Sequence, residues 1–322
     1  MSAVHASLLA SARWGWWEVA LVIAAIVPLF IPGGHSLLLN EIAILALFAV
    51  SLDLILGYAG IVSLGHAAFF GFGAYVAGLF AREVMPDPLV GLGVAMAATA
   101  VLGAVASLLV LRGTDLTRLM VTLGVAAVLY ELANKLDWLT GGADGLQGVM
   151  MGPLLGRFEF DLYGRTAYAY SLAVLVVVML IARRIVHSPF GYSLKALRDN
   201  RLRATSIGLS VNARLAAVYT LAAAIAGLAG GLMAQTSGFA SLDGLDFHRS
   251  ADLVLMVVVG GTGYLYGGIF GALAFKGLQE LFASWTPQYW TFWLGLFLVV
   301  LMLVGRERAV RPWTWFKRGG GA

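Results

Sequence analysis

Long apolar runs separated by short polar connections fill the chain, a pattern that predicts membrane-spanning helices about 20 residues long. They are expected approximately at Trp16 to Ile31, Leu38 to Leu56, Leu64 to Ala81, Leu89 to Leu111, Arg118 to Trp138, Thr166 to Arg183, Val211 to Gln235, Ser250 to Val259, Gly267 to Ala283 and Tyr289 to Val304. Two of these regions break the rule of continuous helix. The stretch LDLILGYAGIVSLGHAAFFGFGAYVAGLF (Leu52 to Phe80) carries Gly57, Gly60, Gly65, Gly71 and Gly73, and VVVGGTGYLYGGIFGALAF (Val257 to Phe275) is similarly glycine-rich. Irregular backbone at membrane depth survives only inside protein or beside water. Paired glycine-interrupted spans therefore point to a solute route.

Composition agrees. The 322 residues are 60% hydrophobic and only 12% charged, against about 25% charged in soluble domains. This predicts an all-α polytopic membrane protein forming one domain over 1–322. The first run, after Arg13, has no small-residue cleavage site and reads as an uncleaved span. The net charge of +4 does not suggest nucleic acid, because the cations lie in loops between apolar runs. One side gathers most of them, among them Arg13, Arg112, Arg183, Arg184 and the basic tail 305–322. By the positive-inside bias that side is cytoplasmic, and both termini with it. The absence of Cys excludes a disulfide framework and a thiolate metal site.

The longest polar segment, SPFGYSLKALRDNRLRATSIGLSVN (Ser188 to Asn212), predicts a helix within a cytoplasmic loop. Ser193 is its expected N-cap, Leu194, Leu197, Ala204 and Ile207 its apolar face and Gly208 its stop. Such a helix either enforces topology as a solvated loop or docks on a cytoplasmic partner. Among intramembrane polar residues, Asp53 is costly unless it faces the bundle interior or pairs, so it is a functional candidate with an assembly role as the alternative. His66, after Ser63 and Gly65, either contacts solute or is a packed, satisfied imidazole. Gly260, Gly261 and Thr262 either line the route or form a turn between short helices. The four-residue spacings of Gly227 with Gly231 and of Gly263, Gly267 and Gly271 predict close helix packing. Enzyme classes fare poorly: no GxxxxGK[ST], HExxH or GxSxG motif occurs. No metal site, cofactor or catalytic residue is expected.

Several of these motifs occur together and in order. LDLILGYAGIVSLGHAAFFGFGAY, MVTLG (Met120 to Gly124), TGGADGLQGV (Thr140 to Val149), the loop from Ser188 to Asn212 and LMVVVGGTGYLYGGIFGA resemble the LivM-type inner-membrane permease of branched-chain amino acid ABC importers over about Asn40 to Val304. The resemblance implies about ten transmembrane helices in two inverted-topology halves, and alternating access. It implies a LivH-like permease partner, two cytoplasmic ATPases of the LivG and LivF type that bind the ATP, and a periplasmic substrate-binding protein. The loop, residues 188–210, would be the coupling element, with Ser193, Lys195, Arg198, Asp199, Arg201 and Ile207 engaging an ATPase. Relatives of this type also serve urea, short amides and aromatic acids. Two positions depart from the family: Asp53 stands where Asn is usual, and Arg112 to Thr117 replace an RGxYFA-like stretch. The competing reading is a stand-alone secondary transporter in which Asp53 or Glu131 carries a coupling proton.

Overall fold

A computed structural model describes residues 16–30, 35–161 and 163–304. Arg13 and the basic tail lie outside the described residues. Each of the ten expected segments contains a helix. They are α1 (Trp16–Ile26), α2 (Ser36–Leu56), α3 (Ala67–Glu83), α4 (Pro88–Val110), α5 (Asp115–Lys135), the single turn α6 (Asp137–Thr140), α7 (Arg165–Val186), the loop helices α8 (Pro189–Asp199) and α9 (Arg201–Ser206), α10 (Val211–Ser237), α11 (Phe247–Gly260), α12 (Gly267–Trp285) and α13 (Trp290–Val304). Among the described residues, five helices are long and apolar enough to cross a membrane: α2, α4, α5, α7 and α10.

The shorter helices are short for a local reason. The chain leaves helical geometry at Gly57 and regains it only at Ala67, so α3 begins three residues later than the apolar run suggests. Likewise α11 stops at Gly260 and α12 starts at Gly267. By contrast Gly71 and Gly73 remain inside α3, because a helix tolerates glycine where a neighbour needs the space. The start of α4 shows ordinary capping: Pro88 occupies the first turn, and the Asp87 carboxylate accepts the Leu89 and Val90 N–H groups at 2.9 and 3.0 Å.

Two helices form the centre. α2 is buried on nearly every face, from Ala43 through Ile55, and packs against α7, α10, α11 and α12. α10 packs against α2, α3 and α4 through small residues, including Ala222, Ala223, Ala226 and Gly230. Several polar groups inside this core are paired across helices, as burial favours. Asn40 of α2 donates to Thr236 Oγ1 at 3.1 Å and accepts from Ser171 Oγ at 2.6 Å, joining α2, α10 and α7. Gln235 donates to the Pro88 carbonyl at 2.8 Å and accepts from the Tyr170 hydroxyl at 3.0 Å. At one end of the bundle the TGGADGLQGV loop closes on the segment after α10, where Leu146 and Ala240 exchange backbone hydrogen bonds of 2.7 and 3.1 Å.

The loop differs from the single helix expected to begin at Ser193. Ser188 is the N-cap, with Pro189 in the first turn, and the helix breaks at Asn200, whose side chain caps α9 by accepting the Arg203 N–H at 2.9 Å. Asn at a cap position competes with helix continuation, which explains the break. Ser193 sits mid-helix instead, donating to the Phe190 carbonyl and accepting from Arg214 Nη1, both at 2.6 Å. Leu194, Leu197 and Ala204 form the buried face as expected, whereas Ile207 is 71% exposed. Gly208 ends the segment at φ 84°.

Candidate functional site

The C-terminal end of α2 gathers residues from four parts of the chain. Its last carbonyls lack intrahelical partners, and the turn after it supplies some: the Gly60 N–H reaches the Leu56 carbonyl at 3.2 Å and the Ile61 N–H reaches Ile55 at 2.9 Å. Gly60 makes this turn at φ 71°, a left-handed conformation that costs an L residue about 1–2 kcal/mol. The Gly57 carbonyl accepts from Nη1 of Arg198 on α8. One turn earlier, Asp53 Oδ1 accepts the Gly263 N–H at 2.7 Å. A carboxylate near a helix C-terminus opposes the macrodipole, and here an N–H and a nearby guanidinium offset it.

Gly263 turns at φ 76° between α11 and α12. A Cβ on it would stand 3.2 Å from both Arg198 Nη1 and the Gly57 oxygen, and a Cβ on Gly60 would meet Arg198 Cγ at 2.8 Å. On Gly57 a Cβ would collide with Asp53 Oδ1 and the Gly263 backbone. The three glycines thus form a cradle around one arginine. Lys195, one helical turn before Arg198, places its ammonium 5.3 Å from the Tyr58 ring centroid and 5.4 Å from that of Tyr192, at cation–π distance.

Ser63 and His66 are each 1% exposed in this state. Ser51 Oγ donates to the Phe48 carbonyl at 2.6 Å, which leaves it to accept from His66 Nε2 at 2.9 Å. The imidazole stacks on Phe48 and meets the edge of Phe69. Next to it the Ala67 N–H donates to Ser250 Oγ of α11 at 2.9 Å, tying the start of α3 to the helix that leads into the second glycine-broken segment. Gly260 and Gly261 are buried, and Thr262 is exposed at the turn.

Packing accounts for most of the spaced glycines. A Cβ on Gly267 would approach the Gly261 and Gly260 carbonyl oxygens to 2.6 and 2.8 Å, and one on Gly271 would strike the Met256 carbonyl. Gly227 lies against Thr99 of α4, while Gly231 is looser, its nearest neighbour being Leu92 at 3.1 Å. Of the loop residues, Asp199 and Arg203 face solvent with Leu202 and Ile207, and Arg201 reaches back to Asp115 of α5 at 3.7 Å. The same Asp115 oxygen accepts from Arg118 at 2.9 Å.

Two features escape sequence reasoning. The cradle of Gly57, Gly60 and Gly263 around Arg198 has no local signal, because its members are far apart in the chain. Nor does the ion pair of Arg183 with Glu18 of α1, which the Tyr266 hydroxyl joins by donating to Glu18 Oε1 at 2.7 Å. Glu131 lies exposed on α5, and Glu41 pairs with Lys276 of α12 at 2.7 Å.

Comparison with known proteins places the chain in a family. Residues 35–305 match the family described as branched-chain amino acid transport system, permease component. The chain is 29% identical to the high-affinity branched-chain amino acid transport system permease protein LivM of Salmonella typhimurium over 91% of this chain and 74% of that protein. To the LivM protein of Escherichia coli it is 28% identical, over 92% of this chain and 74% of the relative. A fructose import permease protein, FrcC of Rhizobium meliloti, is 23% identical over 84% of this chain and 76% of its own length. No solved structure matches the chain significantly. With a family match from α2 to the end of α13, this multi-pass membrane protein belongs to the permease components of branched-chain amino acid transport systems.

Proposed function

We propose that the chain is the LivM-like permease subunit of an ATP-driven importer in a bacterial inner membrane, moving branched-chain amino acids or related small amino acids, amides, urea or aromatic acids into the cytoplasm. In this reading it pairs with a LivH-like subunit, two cytoplasmic ATPases and a periplasmic binding protein, with both of its termini cytoplasmic. About ten helices, in two inverted halves, would re-pack around the glycine-broken segments to alternate access.

The observation that carries the reading is the two-sided character of α8 and α9. Leu194, Leu197 and Ala204 anchor the loop to the bundle, while Leu202 at 81% exposure, Ile207 at 71% and the charged Arg203 stand outward. An exposed apolar pair rimmed by cations suits a groove on a cytoplasmic partner. Arg198 is shared between the two sides: its Nη1 donates to the Gly57 carbonyl, while its side chain is 41% exposed and lies 3.4 Å from Asp199 Oδ1.

The test is co-expression with the partner ATPases and uptake into proteoliposomes loaded with ATP. Leu202→Asp with Ile207→Asp is expected to abolish ATPase association and ATP-dependent uptake, while the isolated chain keeps its thermal stability. Unchanged association would remove the docking role. Uptake by the lone subunit under a proton gradient, lost in Asp53→Asn, would establish the secondary-transporter reading instead.

A further inference from the structure

We infer that Arg198 is the strut through which movement of the loop helix reaches both glycine-broken segments. The inference rests on the importer reading above and names the residue that positions the route. Three observations converge on it. Its guanidinium caps the end of α2 at the Gly57 carbonyl, where the helix terminus carries partial negative charge. Its Nη1 also lies over Gly263, and Asp53 joins Gly263 back to α2 at 2.7 Å. Its aliphatic stem lies against Gly60 at van der Waals range, where a Cβ would stand 2.8 Å from Cγ.

The loop helix is firmly held against the bundle along the same face. Leu194 and Leu197 are at most 1% exposed, and Ser193 accepts from Arg214 at the start of α10. With Nη1 bonded to the Gly57 carbonyl, Arg198 links a displacement of α8 to the end of α2. That displacement is passed to the Gly57 carbonyl and the Gly263 turn, and from there to residues 57–66 and to the hinge between α11 and α12. Lys could not replace Arg here: an ammonium has three donors but is a compact, strongly hydrated point charge, without the planar guanidinium whose Nη1 reaches Gly57 and Gly263. Gly263 leaves room for the guanidinium, Gly60 for the stem, and Gly57 for the Asp53–Gly263 contact beside them.

The experiment places a single Cys at Ser63 and follows its reaction with a water-soluble thiol reagent, since the native chain has no Cys. In the lone chain, Arg198→Ala is expected to raise the Ser63Cys labelling rate about fivefold or more, because the 57–66 segment loses its tether; this arm needs no partner. In the complete complex, ATP should change the labelling rate in wild type. In Arg198→Ala that change, and uptake of radiolabelled leucine per ATP hydrolysed, should fall about tenfold, within the usual range of coupling between sites. ATP hydrolysis itself should persist. Gly60→Val, which crowds the stem but leaves the outer face intact, should reproduce the uncoupling, and Arg198→Lys should not restore it. Unaltered labelling in the lone Arg198→Ala chain overturns the strut. So does loss of ATPase association in Arg198→Ala while Gly60→Val couples normally, which would place Arg198 at the partner interface. A wild-type chain that binds no ATPase defeats the importer reading, with the lone-chain result still deciding the strut.

Discussion

Asp53 and Gly263, separated by 210 positions in the chain, are joined by a 2.7 Å hydrogen bond from the glycine N–H to the carboxylate. That bond connects the end of the central helix to the turn between α11 and α12. Asp53 Oδ2, by contrast, is buried without a protein partner, so the bond to Gly263 occupies one carboxylate oxygen only.

The first prediction follows from that bond. A hydrogen bond to a charged group contributes about 1.5–3 kcal/mol, so Asp53→Ala should lower stability by about that amount. Asp53→Asn keeps an acceptor oxygen and should lose less than half as much. Thermal unfolding of the purified chain in detergent measures both. Equal losses would mean that the charge, rather than the bond, holds the turn.

Two glycines of α12 should respond in opposite ways. Gly267 abuts the Gly260 and Gly261 carbonyl oxygens, so Gly267→Ala forces backbones apart at a cost of about 1–3 kcal/mol. Gly277 has nothing within 4 Å of its added Cβ, and Gly277→Ala should stabilise the helix by up to about 1 kcal/mol. Paired melting curves decide it; similar shifts in the two variants would contradict the close packing.

Accessibility separates the candidate route residues. Thr262 is exposed, whereas Ser63 and His66 are 1% exposed. Thr262→Cys should react with a soluble thiol reagent in every state. Ser63→Cys and His66→Cys should react slowly in the resting chain and faster when nucleotide or binding protein shifts the conformation. Inert cysteines at 63 and 66 under all conditions would make the 57–66 segment a packing device.

The ion pair between Glu18 and Arg183 should behave as a buried pair, with side chains only 8% and 10% exposed. Removing one partner strands a charge, at a cost of about 3–5 kcal/mol. Arg183→Met alone should therefore destabilise the protein more than Glu18→Leu combined with Arg183→Met. A double-mutant cycle read by thermal melting tests this, and simple additivity would show the two residues to be uncoupled.

Much of this was legible in advance. The apolar runs located the helices within a few residues, because in lipid a backbone must satisfy itself and length then follows from bilayer thickness. The glycine breaks at 57–66 and 261–266 were also legible, since so many glycines in apolar runs have few other uses. His66 was readable only as an alternative; its Nε2 is bonded to Ser51 Oγ, while Nδ1 is buried without a protein partner, so packing holds the ring at one nitrogen only. The N-cap of the loop helix was misplaced at Ser193, because Ser188 followed by Pro189 is an equally good local start and only packing chooses between them.

Sequence by itself determined the class of the protein, its helical segments, the glycine breaks and the amphipathic loop, since each depends on composition or on spacing within one or two turns. Tertiary structure alone decided which side of the loop faces the bundle, that Arg198 Nη1 reaches the Gly57 carbonyl while Leu202 and Ile207 turn out, and that Asp53 meets Gly263. The physical reason is range. Periodicity and capping act between neighbours in the chain, whereas a cradle built from residues 57, 60, 198 and 263 exists only after the helices have packed.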